Sequence, residues 1–206
     1  MGLYESILKE LGRKKGIFEK RVREAAIGAY ERGVETCFCA IRRDGKIEIT
    51  KISYEEEDSV APEGRSYHLE GRGFDFDQFD EKIVLVHAHP GDEPGKADAR
   101  DVILSLEDLL NLIPGRPEIV ASCDGRYLHM IVVEREDCYL LSEELEEYAL
   151  EVEYENLPKD DPEEFVKGLN AIEIDGERVF NAEYRRIKVE PEKAKNQKSR
   201  RKRNAS

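Results

Sequence analysis

No run of apolar residues in this chain approaches the roughly 20 needed to cross a bilayer as a helix, so no membrane span and no membrane partner are expected. The opening stretch MGLYESILKELGRKK lacks the apolar core and cleavage site of a secretory signal, which predicts a cytoplasmic protein. Cysteine is scarce: four residues, at 37, 39, 123 and 138, with no CxxC spacing, and this argues against a structural zinc knuckle. Cys37 and Cys39 alternate along a predicted strand, a placement poorly suited to a disulfide, and read as small buried side chains in a reducing compartment. Tryptophan is absent and glutamine is rare beside abundant Lys and Glu, a composition that suits a thermophile.

What the chain has in excess is charge. Lys and Arg number 33 against 46 Asp and Glu, a net charge of −13. Residues 193–206 hold seven Lys and Arg and no acid, so residues 1–192 carry −13 − 7 = −20. An acidic body argues against a broad nucleic-acid-binding face. The basic tail, 191–206, is expected to be disordered and is the one segment through which nucleic acid could be touched.

The length suits one domain with a sizeable core, or one domain plus an extension. Residues 1–17 read as an N-terminal helical extension. Phe18, Val22, Ala25, Ala26, Ala29 and Tyr30 fall at helical spacing, and Gly33 is placed to stop that helix. Glu35–Ile41 reads as a strand, Asp44-Gly45 as a hairpin turn and Lys46–Ser53 as the partner strand. Glu55 to Gly73 is acidic and Gly-rich, an irregular excursion. Lys82–Val86 is a buried strand running into His87-Ala-His89-Pro90. After a loop rich in Gly, Pro and Asp, Asp98 is expected to cap a helix carrying Val102 through Ile113. Glu118–Cys123 and Tyr127–Glu134 form a second strand pair. A helix near Pro162–Leu169 and a strand pair around Asp175-Gly176 follow. The order predicts a mixed α/β (α+β) domain over 18–142, with 143–190 as a C-terminal α/β extension packed on it.

His87 and His89 stand two apart at a strand's end, so both imidazoles leave one face and can share a metal. Asp101, expected in the first turn of the next helix, is the candidate third ligand. Two His and one carboxylate leave one tetrahedral position open, the pattern of a catalytic zinc (Zn2+) site.

The stretch LVHAHPGDEPGKADARD resembles the His-x-His-Pro…Ser-x-x-Asp signature of the JAMM/MPN metalloproteases. Gly33-Val-Glu35-Thr-Cys-Phe-Cys-Ala-Ile41 fills the place of that family's early Glu-bearing strand, and the likeness covers roughly residues 18–136. It implies an MPN-type, cytidine-deaminase-like sheet flanked by helices, with His87, His89 and Asp101 as zinc ligands. It makes Glu35 the base that takes a proton from the attacking water and returns it to the leaving amine. The implied activity is hydrolysis of ubiquitin-like modifier conjugates at lysine, or of a peptide. One extra loop residue puts Asp98 in the place of the family's Ser, where it can cap the helix; an ionised Asp there repels an oxyanion rather than donating to it. A catalytically weak or inactive MPN-type scaffold is therefore an alternative, as is a RadC-like metal protein linked to nucleic acid.

Overall fold

The structure is a computed structural model that describes residues 1–54, 81–136 and 143–189. The excursion expected from Glu55 to Gly73 and the basic tail over 191–206 lie outside the described residues.

Two helices come first. α1 (Leu3–Leu11) buries Tyr4, Ile7 and Leu11 on one stripe, and a 3-10 turn over Gly12–Lys14 joins it to α2 (Lys15–Arg32). α2 buries Phe18, Val22, Ala25, Ala26 and Ala29, the face its sequence spacing predicts. Those residues share a core with Phe38, Val86 and Ile119 of the sheet, and the Phe18 ring meets Phe38 edge-on at 5.7 Å. Gly33 ends the helix in the left-handed conformation (φ 67°), its N–H donating to the Ala29 carbonyl.

The sheet is mixed. β1 (Thr36–Arg43), β2 (Lys46–Ile49), β3 (Ser53–Tyr54), β4 (Glu81–Ala88), β5 (Glu118–Cys123) and β6 (Tyr127–Arg135) are joined late in the chain by β9 (Phe180–Lys188). Their order is β2-β1-β4-β5-β6-β9, with β3 also paired to β1. β4 and β5 run parallel, and the other neighbours are antiparallel. A parallel pair needs a crossover, here residues 89–117. β7 (Glu173–Ile174) and β8 (Glu177–Arg178) form a separate hairpin turned at Asp175-Gly176.

Alternation along the strands splits the core in two. Val84, Val86 and Ala88 of β4 and Ile119 and Ala121 of β5 face α1 and α2. Val120 of β5 and Ile131 and Val133 of β6 face a second core with Leu109, Leu150, Phe165 and Leu169. Those last four belong to α3 (Leu106–Leu110), α4 (Glu143–Glu155) and α5 (Pro162–Leu169). The result is three layers: helices, sheet, helices. None of the described helices is long and apolar enough to cross a membrane.

The single helix expected from Asp98 to Ile113 is two short pieces. A 3-10 turn spans Ala99–Val102, the chain then runs extended at Ile103 and Ser105, and α3 starts afresh at Leu106. Asp98 and Ser105 each form a capping box with the acid three residues on, so each starts its own turn. Between them, Val102 and Leu104 both reach the second core, which an unbroken helix could not arrange.

β9 lies at one end of the sheet order. Asn170, just past α5, covers part of it: its Nδ2 donates to the Ala182 carbonyl at 2.9 Å and its Oδ1 accepts from the Ala182 N–H at 2.8 Å. Paired backbone at an edge is protected from adventitious strand pairing. Asn170→Ala strips both bonds and should lower unfolding free energy by about 1–3 kcal/mol, read from urea melts. A midpoint equal to wild type would show that water replaces the amide without loss.

Candidate metal centre

Thr36 anchors the start of β1, its Oγ1 donating to the Ala25 carbonyl of α2 at 3.0 Å with the residue fully buried. Thr36 pairs with Ala88 and Cys37 with His87. Glu35, one step before Thr36, and His89, one step after Ala88, therefore leave the same end of the β1–β4 ladder. The crossover is fixed there too. The Gly95 N–H donates to the Tyr30 carbonyl at 2.7 Å, and Pro94 sits where a side chain at Gly33 would go. Gly91 has no room for a Cβ against the Lys96 carbonyl, so the loop closes tightly after Pro90.

His87 and His89 turn their Nε2 atoms toward each other at 3.1 Å. The Asp108 carboxylate faces both, Oδ1 at 3.7 Å from His87 Nε2 and Oδ2 at 3.8 Å from His89 Nε2. His87, His89 and Asp108 offer ligand atoms all within 4.8 Å of one another, the one such group among the described residues, and together they could hold a metal ion. The outer partners suit that role. Glu118 at the head of β5 accepts from His87 Nδ1 at 2.8 Å, and the Asp101 main-chain carbonyl accepts from His89 Nδ1 at 3.0 Å. A carbonyl can only accept, so Nδ1 of His89 carries the proton and Nε2 presents its lone pair inward. Metal-bound histidines are held in this way. Two imidazoles on one tetrahedral ion at about 2.0–2.1 Å place their nitrogens roughly 3.3 Å apart, close to the spacing found here.

The third member of the group differs from expectation. Asp108, not Asp101, stands with the histidines. The Asp101 carboxylate accepts from the Asp98 N–H at 2.6 Å, and only its main-chain oxygen reaches His89. Asp98 is also away from the cluster: it accepts from the Arg100 backbone at 2.7 Å and grips the Arg100 guanidinium at 2.6 Å, which lowers its pKa. Glu35 is near enough for its charge to act on His87. Residues missed from sequence are Ser105, Asp108 and Glu118. The signal for the first two was plain, because Ser105-Leu-Glu-Asp108 is itself a Ser-x-x-Asp. Reaching it takes a longer loop after His89 than the resemblance implies. His129 takes no part, bonding Asp124 Oδ2 at 3.1 Å and the Tyr184 hydroxyl at 2.7 Å.

This chain matches no family model, no curated protein and no solved structure. The geometry therefore stands by itself.

Two facing lone pairs repel unless something positive lies between them. Burial disfavours charge on His87, but the hydrogen bond and charge of Glu118, with Asp108 and Glu35, outweigh it and raise its pKa to about 9. Burial and the neighbouring His87 cation push His89 down to about 4. Asp108, although burial works against its charge, is held ionised by the two histidines. Without metal, one proton thus sits between the imidazoles on the His87 side, and a cation must displace it. Metal uptake at neutral pH should release about one proton per chain, and affinity should climb as pH rises from about 7 toward 9. Calorimetry in buffers of different ionisation enthalpy reads this directly; an affinity flat across that range would contradict it.

Proposed function

We propose that this chain is a zinc-dependent hydrolase of the JAMM/MPN kind, cleaving a ubiquitin-like modifier or peptide from a lysine amine. The observation that carries the reading is the meeting of His87-x-His89-Pro90 with Ser105-x-x-Asp108 around a group able to hold a metal. The two halves of that signature lie apart in sequence and are brought together by the β4–β5 crossover. The mixed sheet with helices on both faces is compatible with the MPN-type architecture.

A zinc ion there would supply Lewis acidity toward the scissile carbonyl and the attacking water. The rest falls to this chain's own side chains. Glu35, at the mouth of the β1–β4 ladder, takes the proton from the water and passes it to the departing amine. Ser105 Oγ lies 2.8 Å from Asp108 Oδ2, with its hydroxyl proton available to a developing oxyanion when substrate displaces that bond. With Ser105 in the donor's role, the Asp98 carboxylate, held by Arg100, need not face the oxyanion. Glu118 keeps His87 in register by holding its Nδ1.

The test is cleavage of a lysine-linked ubiquitin-like conjugate by the zinc-loaded full chain, lost with chelator and regained with zinc. A loaded chain that leaves conjugates intact would replace the hydrolase with a binding module.

A further inference from the structure

The two histidines are supported differently. His87 leans on a carboxylate from β5, a strand inside the sheet. His89 leans on a main-chain carbonyl in the crossover, and such an oxygen is only as fixed as the turn that carries it. That turn, Ala99–Val102, is four residues long, too short to hold itself by backbone bonds alone.

Side chains close it instead. The Asp98 carboxylate accepts from the Arg100 N–H at 2.7 Å, and the Asp101 carboxylate accepts from the Asp98 N–H at 2.6 Å. Arg100 then clasps Asp98 from outside, Nη2 at 2.6 Å and Nε at 3.0 Å. From beneath, Val102 and Leu104, both fully buried, hold the turn in the second core. The Asp101 carbonyl is thereby aimed at His89 Nδ1 at 3.0 Å.

We propose that the Asp98–Asp101 box is a positioning device for the metal centre. It sets the carbonyl that fixes the tautomer and ring plane of His89, so both aspartates tune metal affinity without being ligands. The proposal rests on the metal-centre reading. Its physical content is that losing either carboxylate lets the carbonyl drift, frees Nδ1–H, and leaves the His89 ring and its Nε2 unaimed. The Asp101 side chain acts through its backbone, because its carboxylate is already engaged by Asp98.

The experiment uses the full chain as wild type, Asp98→Ala, Asp101→Ala, Asp98→Asn and Asp101→Asn. Zinc affinity is read by competition with a chromophoric chelator, and ligand geometry by the visible absorption of the cobalt-substituted protein. Each alanine change should weaken zinc binding roughly 10-fold or more and alter the cobalt bands, the range seen when outer partners of metal ligands are removed. The asparagine variants keep an acceptor oxygen and should retain wild-type affinity and spectrum. Should Asp101→Ala melt without metal, Arg100→Ala is the second probe; it loosens only the outer clasp and should give a smaller loss. Equal affinity and spectra in wild type and the folded alanine variants overturn the proposal. A wild type that takes up no zinc overturns the metal centre itself, a separate result.

Discussion

Replacing His87 and His89 together by alanine is expected to take zinc content from about one equivalent per chain to none, read by elemental analysis of the purified protein. Both Nε2 atoms face the same space, 3.1 Å apart, so the double change removes two of three ligands. Asp108→Ala removes the third and should weaken affinity by more than the roughly 10–100-fold typical of an outer partner. Asp101→Asn should leave zinc in place, because that carboxylate does not face the histidines. The contrast between positions 108 and 101 is the sharp part. Zinc lost from Asp101→Asn and kept by Asp108→Ala would mean that the crossover is arranged differently. Equal zinc in wild type and the double histidine variant would end the metal reading.

Glu35→Gln should lower turnover of a lysine-linked conjugate by roughly 100-fold or more while zinc stays bound. Glutamine keeps the shape and hydrogen-bonding reach of glutamate but cannot take a proton at neutral pH. Glu35 is outside the ligand set, so metal content separates lost chemistry from a lost site. The fall should appear in kcat more than in KM if Glu35 acts only as the bond breaks. A variant as active as wild type would assign the proton transfer to another group.

How much of this could be read from sequence depended on the range of the information. α2 and its glycine stop, β5, and α5 from Pro162 were readable, because hydrophobic period and helix-stop residues are local. So was the pairing of His87 with His89, which strand alternation settles. β9 was not. Residues 180–188 alternate weakly, with Tyr184 and Arg185 both half-buried, and the strand exists because β6 offers it a partner. Asp108 was missed for another reason: Asp98 and Asp101 offer a helix start nearer to His89, yet a loop can lengthen freely so long as its ends reach the same points. Glu118 could not be found locally at all, since only the parallel register of β4 and β5 places it beside His87.

The tie between the first helix and the last strand bears on how the chain comes off the ribosome. The Tyr4 N–H donates to Glu183 Oε2 at 3.2 Å across 179 residues, and Arg185 pairs with Glu5 at 3.0 Å. The helix therefore waits for a strand made 179 residues after it. Until β9 is out, Tyr4 lacks Glu183 and the open side of β6 offers its backbone to any passing strand. Contacts this distant in sequence slow folding, and unpaired edges are where nascent chains stick to one another. The interval between making β6 and making β9 is the one in which that edge of β6 stands unpaired.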